Sequence, residues 1–188
     1  MRIISGKYKS KQIIAPKNLP IRPTTDLAKE SLFNILNNYY YFDEIKVLDL
    51  FSGSGNIAYE FASRGTQHIT AVDAHSNCTQ FIRNTADKLD FNINVIKSDV
   101  FKFLEKNLGS YDIIFADPPY DFEQEKLEKI CQFVFERNLL NSDGMLIIEH
   151  QKDKNLEEVP FFESSRKYGG SIFSFFQHPH DQDDDILE

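Results

Sequence analysis

One stretch of the chain, Asp117-Pro118-Pro119-Tyr120, combines an acidic hydrogen-bond acceptor with two prolines and an aromatic ring. Proline fixes the backbone and has no N–H, so the carbonyl oxygens around it remain available as acceptors. The Asp117 carboxylate and the Pro118 carbonyl could both accept from one planar amino group and orient it for attack on a methyl sulfonium. Tyr120 offers a ring on which an extruded base could stack. The motif therefore predicts methyl transfer to an amino group, and a rigid Pro-Pro turn is the plainer alternative.

A second stretch, residues 47–62, has the pattern of a buried strand, a glycine turn and a helix. Gly53 and Gly55 permit backbone conformations that other residues avoid, and they let a ligand approach the main chain. The helix that follows directs unpaired N–H groups at such a ligand. Asp73 lies where a carboxylate that binds ribose hydroxyls belongs in a nucleotide site. The stretch predicts a nucleotide site, with a structural turn as the alternative.

Asp49, at the end of the first strand, indicates which nucleotide is bound. A carboxylate there would repel a pyrophosphate but attract a cation such as the ammonium of S-adenosylmethionine. The spacing Asp-x-x-x-Gly-x-Gly is typical of methyltransferases, although the glycines also fit a dinucleotide fingerprint and an NAD site stays open. Asp73 would then bind the ribose hydroxyls and Asp99 the exocyclic amine of adenine. The residues predicted to bind S-adenosylmethionine are Asp49, Phe51, Ser52, Gly53, Ser54, Gly55, Asn56, Asp73, Ala74, Asp99 and Val100.

Strands and helices alternate from residue 45 onward, which predicts an α/β fold with a mostly parallel, Rossmann-like sheet and helices on both faces. Segments 161–163 and 171–176 predict a closing antiparallel strand pair, and residues 1–15 predict an N-terminal β-hairpin. Four aspartates fall at or just past the carboxyl ends of successive predicted strands: Asp49, Asp73, Asp99 and Asp117. Because ligands of such sheets bind at the carboxyl ends of the strands, these carboxylates should line one crevice.

The first 30 residues are basic in an otherwise acidic chain. They hold seven lysines and arginines against two acidic residues, whereas the whole chain has a net charge of −8. We expect Lys7, Lys9 and Lys11 to share one face of a hairpin strand with Tyr8 on the other, an arrangement that suits an RNA backbone and a base. An edge strand protected by lysines is the alternative. Thr24 is the expected N-cap of the helix that follows.

Length and composition bound the remaining possibilities. The chain of 188 residues is 41% hydrophobic, enough for one core. Cys78 and Cys131 lack metal-ligand spacing, so we expect buried free thiols in a reducing cytoplasm and no metal site. No apolar run reaches the length of a membrane span, which predicts a cytoplasmic protein without a membrane partner. We expect a monomer with a basic hairpin extension (1–23), a catalytic domain (24–178) and a disordered acidic tail (179–188).

Several motifs together resemble the bacterial 16S rRNA guanine-N2 methyltransferases that modify guanine 966. The matching segments are Arg2-Ile-Ile-Ser-Gly6, Arg22-Pro-Thr-Thr-Asp-Leu-Ala-Lys-Glu-Ser-Leu-Phe33, Asp49-Leu-Phe-Ser-Gly-Ser-Gly55, Ser63-Arg64-Gly65 and Asp117-Pro-Pro-Tyr120. The resemblance covers nearly the whole chain apart from the acidic tail. It implies a class I methyltransferase fold, S-adenosylmethionine as cofactor, and a guanine of 16S rRNA within the small ribosomal subunit as substrate.

The resemblance also implies roles for individual residues. Catalysis falls to the Asp-Pro-Pro-Tyr motif, which is Asp117, Pro118, Pro119 and Tyr120. Contact with RNA falls to the N-terminal extension and the segment after it, through Arg2, Lys7, Tyr8, Lys9, Lys11, Arg22, Thr24 and Thr25. The alternatives are methylation of adenine N6 in nucleic acid or of a protein glutamine and, disfavoured by Asp49, an NAD-dependent oxidoreductase.

Overall fold

The computed structural model describes residues 1–21 and 24–179. In these ranges the chain forms one seven-stranded sheet and five helices. The strands are β1 (Lys46–Leu50), β2 (His68–Asp73), β3 (Ile93–Lys97), β4 (Tyr111–Ala116), β5 (Leu140–Gln151), β6 (Phe162–Tyr168) and β7 (Ser171–Gln177). The helices are α1 (Asp26–Leu36), α2 (Asn56–Ser63), α3 (Ser76–Leu89), α4 (Val100–Lys106) and α5 (Gln124–Glu136).

The strand order is β3-β2-β1-β4-β5-β7-β6. Strands β1 to β5 run parallel, and β7 pairs antiparallel with both β5 and β6. The predicted α/β fold with its antiparallel C-terminal pair is therefore confirmed. The strand order reverses between β1 and β4, so the loops that leave these two strands diverge and open a crevice at their carboxyl ends.

Both faces of the sheet are covered by helices, as predicted. One core contains buried side chains of α1, α2 and α3, and the other contains those of α4 and α5. Successive strand residues alternate between the two cores: Val47 faces the first, whereas Leu48 and Leu50 face the second. By this alternation Asp49 points toward the side of the sheet that α2 covers, which places its carboxylate beside the start of that helix.

The N-terminal segment forms the predicted hairpin in a minimal version, in which Ile3 N–H donates to the carbonyl of Lys11 and Ile13 N–H to that of Met1. Its ends meet in a single antiparallel bridge between Arg2 and Gln12. The expected alternation of the three lysines on a strand face is wrong, because the backbone turns at Gly6 (φ 82°) and Ser10 (φ 68°). Lys7 N–H donates to the carbonyl of Ser63 at the end of α2 instead of to a neighbouring strand. The segment is nevertheless well anchored, since two of its isoleucines lie in the core with α1 and α2.

Other local predictions need smaller corrections. Thr25, and not Thr24, is the N-cap of α1, and its hydroxyl accepts from the Ala28 N–H at 3.2 Å. Strand β5 starts five residues before the predicted segment that begins at Met145. The two cysteines are buried free thiols, as predicted. No helix within the described ranges is long and apolar enough to cross a bilayer. Most of the predicted acidic tail, residues 180–188, lies outside the described residues.

Candidate active site

A cavity of about 530 Å³ opens at the carboxyl edge of the sheet. The segments that follow β1, β2, β3 and β4 line it, together with residues 19–21 and Thr24 of the N-terminal part of the chain. Every predicted catalytic and cofactor-binding residue except Gly55 lies on its wall: Asp117, Pro118, Pro119, Tyr120, Asp49, Phe51, Ser52, Gly53, Ser54, Asn56, Asp73, Ala74, Asp99 and Val100. Residues far apart in sequence are therefore neighbours in this cavity.

The glycine turn after β1 has the backbone geometry that its sequence predicts. Gly53 and Gly55 both have positive φ values, 54° and 81°. A Cβ atom at Gly55 would lie 2.6 Å from the ring of Tyr59, so only glycine fits there. The Gly53 N–H donates to the Asp73 carboxylate at 2.8 Å, which ties the turn to the end of β2. The backbone conformation of the two glycines and the hydrogen bond to Asp73 thus fix the position of the turn on the cavity wall.

Asp73 is largely buried and organises the loops around it. One carboxylate oxygen accepts from Gly53 and the other from the His75 N–H, each at 2.8 Å. A carboxylate has about four acceptor sites, so these bonds leave capacity for ligand hydroxyls. The His75 ring nitrogen also lies 3.2 Å from Asp73, and with Cys78 the three side chains form a group that could hold a metal ion. The same carboxylate is needed by the loop, so a metal there would compete with its structural bonds.

Asp49 is the most deeply buried carboxylate of the cavity wall, with 2% of its surface exposed. Burial raises the pKa of its carboxyl to about 8, against an opposing hydrogen bond from Ser52, and repulsion from Asp73 adds to the rise. Among the described residues its Oδ2 atom has no hydrogen-bond partner. A buried acceptor left without a partner is rare in folded proteins and calls for a ligand. A cationic group of a ligand would restore the charged form of this carboxyl.

Asn56, predicted as a cofactor-binding residue, forms a buried polar cluster with Lys29, a residue that sequence inspection missed. Lys29 is fully buried, and its ammonium donates to Asn56 Oδ1 at 2.8 Å and to the carbonyl of Arg2 at 2.7 Å. Its charge is compensated by Glu60 at 3.2 Å, and burial lowers the pKa of Lys29. Glu60 also binds Arg64 at 2.8 Å. A signal existed, because Lys29 shares its helical face with Leu32 and Leu36 of the apolar stripe.

The Asp-Pro-Pro-Tyr motif leaves β4 at the cavity mouth. The Asp117 N–H lies 3.5 Å from the carbonyl of Leu50, which holds the motif against the end of β1. Pro118 is buried, whereas Tyr120 is 38% exposed. The Phe122 N–H donates to the carbonyl of Pro119 at 3.0 Å and closes the turn. The motif thus presents a half-buried carboxylate, a fixed carbonyl and an accessible aromatic ring to one space.

Two further residues complete the wall. Asp99 accepts from the Lys102 N–H at 3.0 Å and caps α4, so part of its role is structural. Thr24 is buried, and its hydroxyl donates to Glu149 at 3.0 Å. Glu149 belongs to β5 and lines a small recess shared with residues 117–120. Thr24, predicted as an RNA contact, therefore lies on the wall of the cavity.

The other predicted RNA-binding residues that the structure describes do not line the cavity. Lys7, Lys9 and Lys11 are exposed, which leaves their charges available to a polyanion. Tyr8 is half-buried and packs edge-on against Phe91 at a ring distance of 5.3 Å. The remaining members have local partners or fall outside the described ranges: Arg2 pairs with Asp26, Thr25 caps α1, and Arg22 is not described.

Known proteins resemble this chain in sequence and in fold. The family described as Conserved hypothetical protein 95 matches residues 1–177. Ribosomal RNA small subunit methyltransferase D of Buchnera aphidicola subsp. Baizongia pistaciae is 34% identical over 159 residues, 82% of this chain and 78% of the relative. The structure of yhhF from Escherichia coli superposes with a TM-score of 0.82 at 26% identity, over 95% of this chain and 97% of that one. The protein SMU.776, solved in complex with SAH, shares the fold with a TM-score of 0.65 at 17% identity, over 81% of this chain and 50% of its own.

Proposed function

The chain belongs to the Conserved hypothetical protein 95 family, that of the class I S-adenosylmethionine-dependent methyltransferases named ribosomal RNA small subunit methyltransferase D, and we propose that it methylates the exocyclic N2 amine of a guanine in 16S rRNA. One observation carries the proposal. The Asp117-Pro118-Pro119-Tyr120 motif and residues 51–54 of the glycine turn, more than 60 residues apart in sequence, line the same cavity. The proposed site for a nucleoside cofactor and the proposed acceptors for an amino group therefore belong to one cavity.

The cavity residues fit S-adenosylmethionine. The unpartnered oxygen of buried Asp49 suits the ammonium of the cofactor, and the glycine turn leaves room for a ligand at the backbone. Asp73 and Asp99 supply acceptors for ribose hydroxyls and for the adenine amine. When bound, the cofactor supplies a methyl group on a sulfonium, which is a strong electrophile. An NAD site is disfavoured because a cationic ligand group would stabilise the ionised form of buried Asp49, whereas a pyrophosphate at the same turn would not.

The Asp-Pro-Pro-Tyr motif orients the substrate amine. The Asp117 carboxylate and the Pro118 carbonyl accept hydrogen bonds from the two amine hydrogens and so favour the pyramidal amine whose lone pair attacks. Tyr120, accessible at the mouth, stacks on the base and holds it at the angle that in-line transfer needs. The closed turn from Pro119 to Phe122 makes this arrangement rigid before substrate arrives. Orientation and electrostatics thus account for the catalytic contribution of the chain.

Docking on the ribosomal substrate falls to residues 1–23, and catalysis to residues 24–178. The exposed lysines of the N-terminal turn give a cationic surface to an otherwise acidic protein, and phosphate contacts require such a surface. The anchoring of this segment to α2 keeps the cationic surface in a fixed position relative to the cavity. The proposed substrate is 16S rRNA within the small subunit.

Transfer of a labelled methyl group to isolated small subunits, followed by mapping of the labelled nucleotide, tests this function. We expect label at N2 of a single guanine, and less label on free 16S rRNA than on subunits. Asp117→Asn should abolish most of the label, and exposed Asp121→Asn serves as the matched control. Label on adenine N6, or on a ribosomal protein, would overturn the proposed substrate. Absence of transfer together with tight NAD binding would overturn the class of enzyme.

A further inference from the structure

The amino-acid part of S-adenosylmethionine carries a carboxylate next to its ammonium, and the two charges need different partners. The Asp49 carboxylate can form an ion pair only with the ammonium. We infer that Asn56 binds the carboxylate through its amide Nδ2, and that Lys29 is the positioning residue that fixes the amide in the required orientation. The inference rests on the proposed function in one respect, the identity of the cofactor.

The orientation of the Asn56 amide follows from Lys29. A lysine ammonium has three donors and no acceptor, so it can bind only the oxygen end of an amide. Lys29 Nζ lies 2.8 Å from Asn56 Oδ1, and a flipped amide would place two donors against each other. The ammonium cannot move away easily, because Glu60 and the carbonyl of Arg2 also bind it. The NH₂ end of Asn56 must therefore point away from Lys29.

That NH₂ end is a donor without a protein partner. Asn56 is 7% exposed and lines the cavity, and Nδ2 makes no hydrogen bond within the described ranges. Buried polar atoms are almost always paired, and a ligand is one reason for leaving one open. Asp49 Oδ2 is the complementary case, a buried acceptor without a partner on another residue of the cavity wall; the Tyr59 hydroxyl is the third such atom in the described ranges. The unpaired donor of Asn56 suits the carboxylate of an α-amino acid, and the unpaired acceptor of Asp49 suits its ammonium.

The start of helix α2 favours an anion at the same place. Asn56 is the first residue of α2, where the helix dipole is positive; the Ala58 N–H of this turn hydrogen-bonds the Asp49 carboxyl, and the N–H groups of Asn56 and Ile57 precede it. The N-cap, Gly55, offers no side chain to these groups, and the first turn holds no acidic residue. Lys29 adds little net charge because Glu60 compensates it. The neutral amide and the helix end together give a carboxylate subsite that leaves the nucleoside part of the cavity to Asp73 and Asp99.

Calorimetric binding of two ligands tests the inference without relying on turnover. S-adenosylhomocysteine has both charges, whereas S-adenosyl-3-thiopropylamine is the same molecule without the carboxylate. Asn56→Ala should weaken S-adenosylhomocysteine roughly 10- to 100-fold, as expected for a lost hydrogen bond to a charged group, and change the amine analogue by less than about threefold. Asn56→Asp should weaken S-adenosylhomocysteine further by repulsion. Exposed Asn84→Ala is the matched control and should change neither affinity.

The role of Lys29 is tested by the ratio of the affinities for S-adenosylhomocysteine and S-adenosyl-3-thiopropylamine, which measures the preference for the carboxylate. Lys29→Met should reduce this preference to that of Asn56→Ala, and Lys29→Arg should restore part of it. Equal losses of both ligands in Asn56→Ala and Asn56→Asp would mean a structural role and would overturn the inference, whatever the folding of the Lys29 variants. Unchanged preference in a folded Lys29→Met protein would remove Lys29 from it. A wild-type protein that binds neither ligand would instead overturn the cofactor assignment.

Discussion

Replacing Asp49 with asparagine should stabilise the free protein at neutral pH while it weakens cofactor binding. Asp49 is 2% exposed, and burial raises the pKa of its carboxyl from 3.8 to about 8. The unfolded chain gives up this proton near its ordinary pKa, whereas the folded protein must keep the proton or bury a charge. Asparagine has nearly the same shape and carries no charge. The variant therefore lacks the loss of folding stability that comes from burying an ionisable carboxyl.

The pH dependence gives the magnitude and its sign. Because the pKa is higher in the folded state, the stability contribution is complete below the unfolded pKa and is lost as pH rises toward the folded value. Each pH unit between 3.8 and about 8 lowers the free energy of unfolding by about 1.4 kcal/mol, hence by about 4 kcal/mol near neutral pH. Above about pH 8 the difference should stay constant. Asn56 and the other neighbours are unchanged in the variant, so they cancel in the comparison.

Urea unfolding of the wild type and of Asp49→Asn, without cofactor, at intervals from about pH 4.5 to pH 8, measures this difference. We expect the variant to gain stability over the wild type by about 1.4 kcal/mol per pH unit in this window. Exposed Asp121→Asn is the matched control for the loss of one carboxylate. A stability difference that does not depend on pH would refute the assignment of a neutral, buried Asp49 in the free protein. A substitution that changes packing alone alters stability by the same amount at every pH.

The same residue predicts proton release on ligand binding. At about pH 7 the free protein holds Asp49 mostly protonated, and the ammonium of S-adenosylhomocysteine should favour its ionised form. Calorimetry in buffers of different ionisation enthalpy should then record release of close to one proton, which Asp49→Asn should lack. The variant should also bind S-adenosylhomocysteine roughly 10- to 100-fold more weakly. Equal affinity in the two proteins would show that Asp49 does not contact the ammonium.

Three further predictions concern catalysis, docking and the N-terminal turn. Asp117→Ala should lose methyl transfer by roughly 10²-fold or more while its affinity for S-adenosylhomocysteine stays within about threefold, and near-normal turnover would exclude the proposed role. Alanine at the three exposed lysines of the N-terminal turn should weaken binding to small subunits and reduce the slope of log K against log salt by roughly 0.7 to 0.9 per lost phosphate contact. An unchanged slope would exclude phosphate contacts by these lysines. Gly6→Ala should lower the free energy of unfolding by about 2 kcal/mol or more, because Gly6 has φ 82° and a Cβ there would overlap the carbonyl of Ser63. Urea unfolding measures this loss. Gly170→Ala is the control and should be neutral, because a Cβ there meets nothing within 4 Å.

The sequence alone determined the sheet and the edge at which the site lies. Short apolar runs separated by helical patterns predict parallel strands, and the carboxyl ends of parallel strands meet at one edge. Aspartates placed just after those runs must therefore converge, as Asp49, Asp73, Asp99 and Asp117 do on the cavity wall. The glycine turn was equally predictable, because its requirement for positive φ is local.

The N-terminal segment shows where local pattern was insufficient. Alternating lysines and β-branched pairs are typical of a hairpin, but the backbone donors of Lys7 and Tyr8 are taken by Ser63 of α2. A strand needs a neighbouring strand for these donors, and the sequence does not reveal that a helix end supplies the acceptors first. The choice between Thr24 and Thr25 as cap was undecidable for the same reason, since Glu149, 125 residues away, binds Thr24.

Only the tertiary structure decided the charge state and the partners of the buried polar groups. Helical periodicity indicates that Lys29 faces inward, but not that Glu60 lies across from it at 3.2 Å or that Asn56 completes the cluster. The raised pKa of Asp49 depends likewise on how completely α2 and the glycine turn exclude water from it. Periodicity fixes which face of an element is buried, whereas the energy of a buried polar group depends on the atoms that packing brings within hydrogen-bond distance of it.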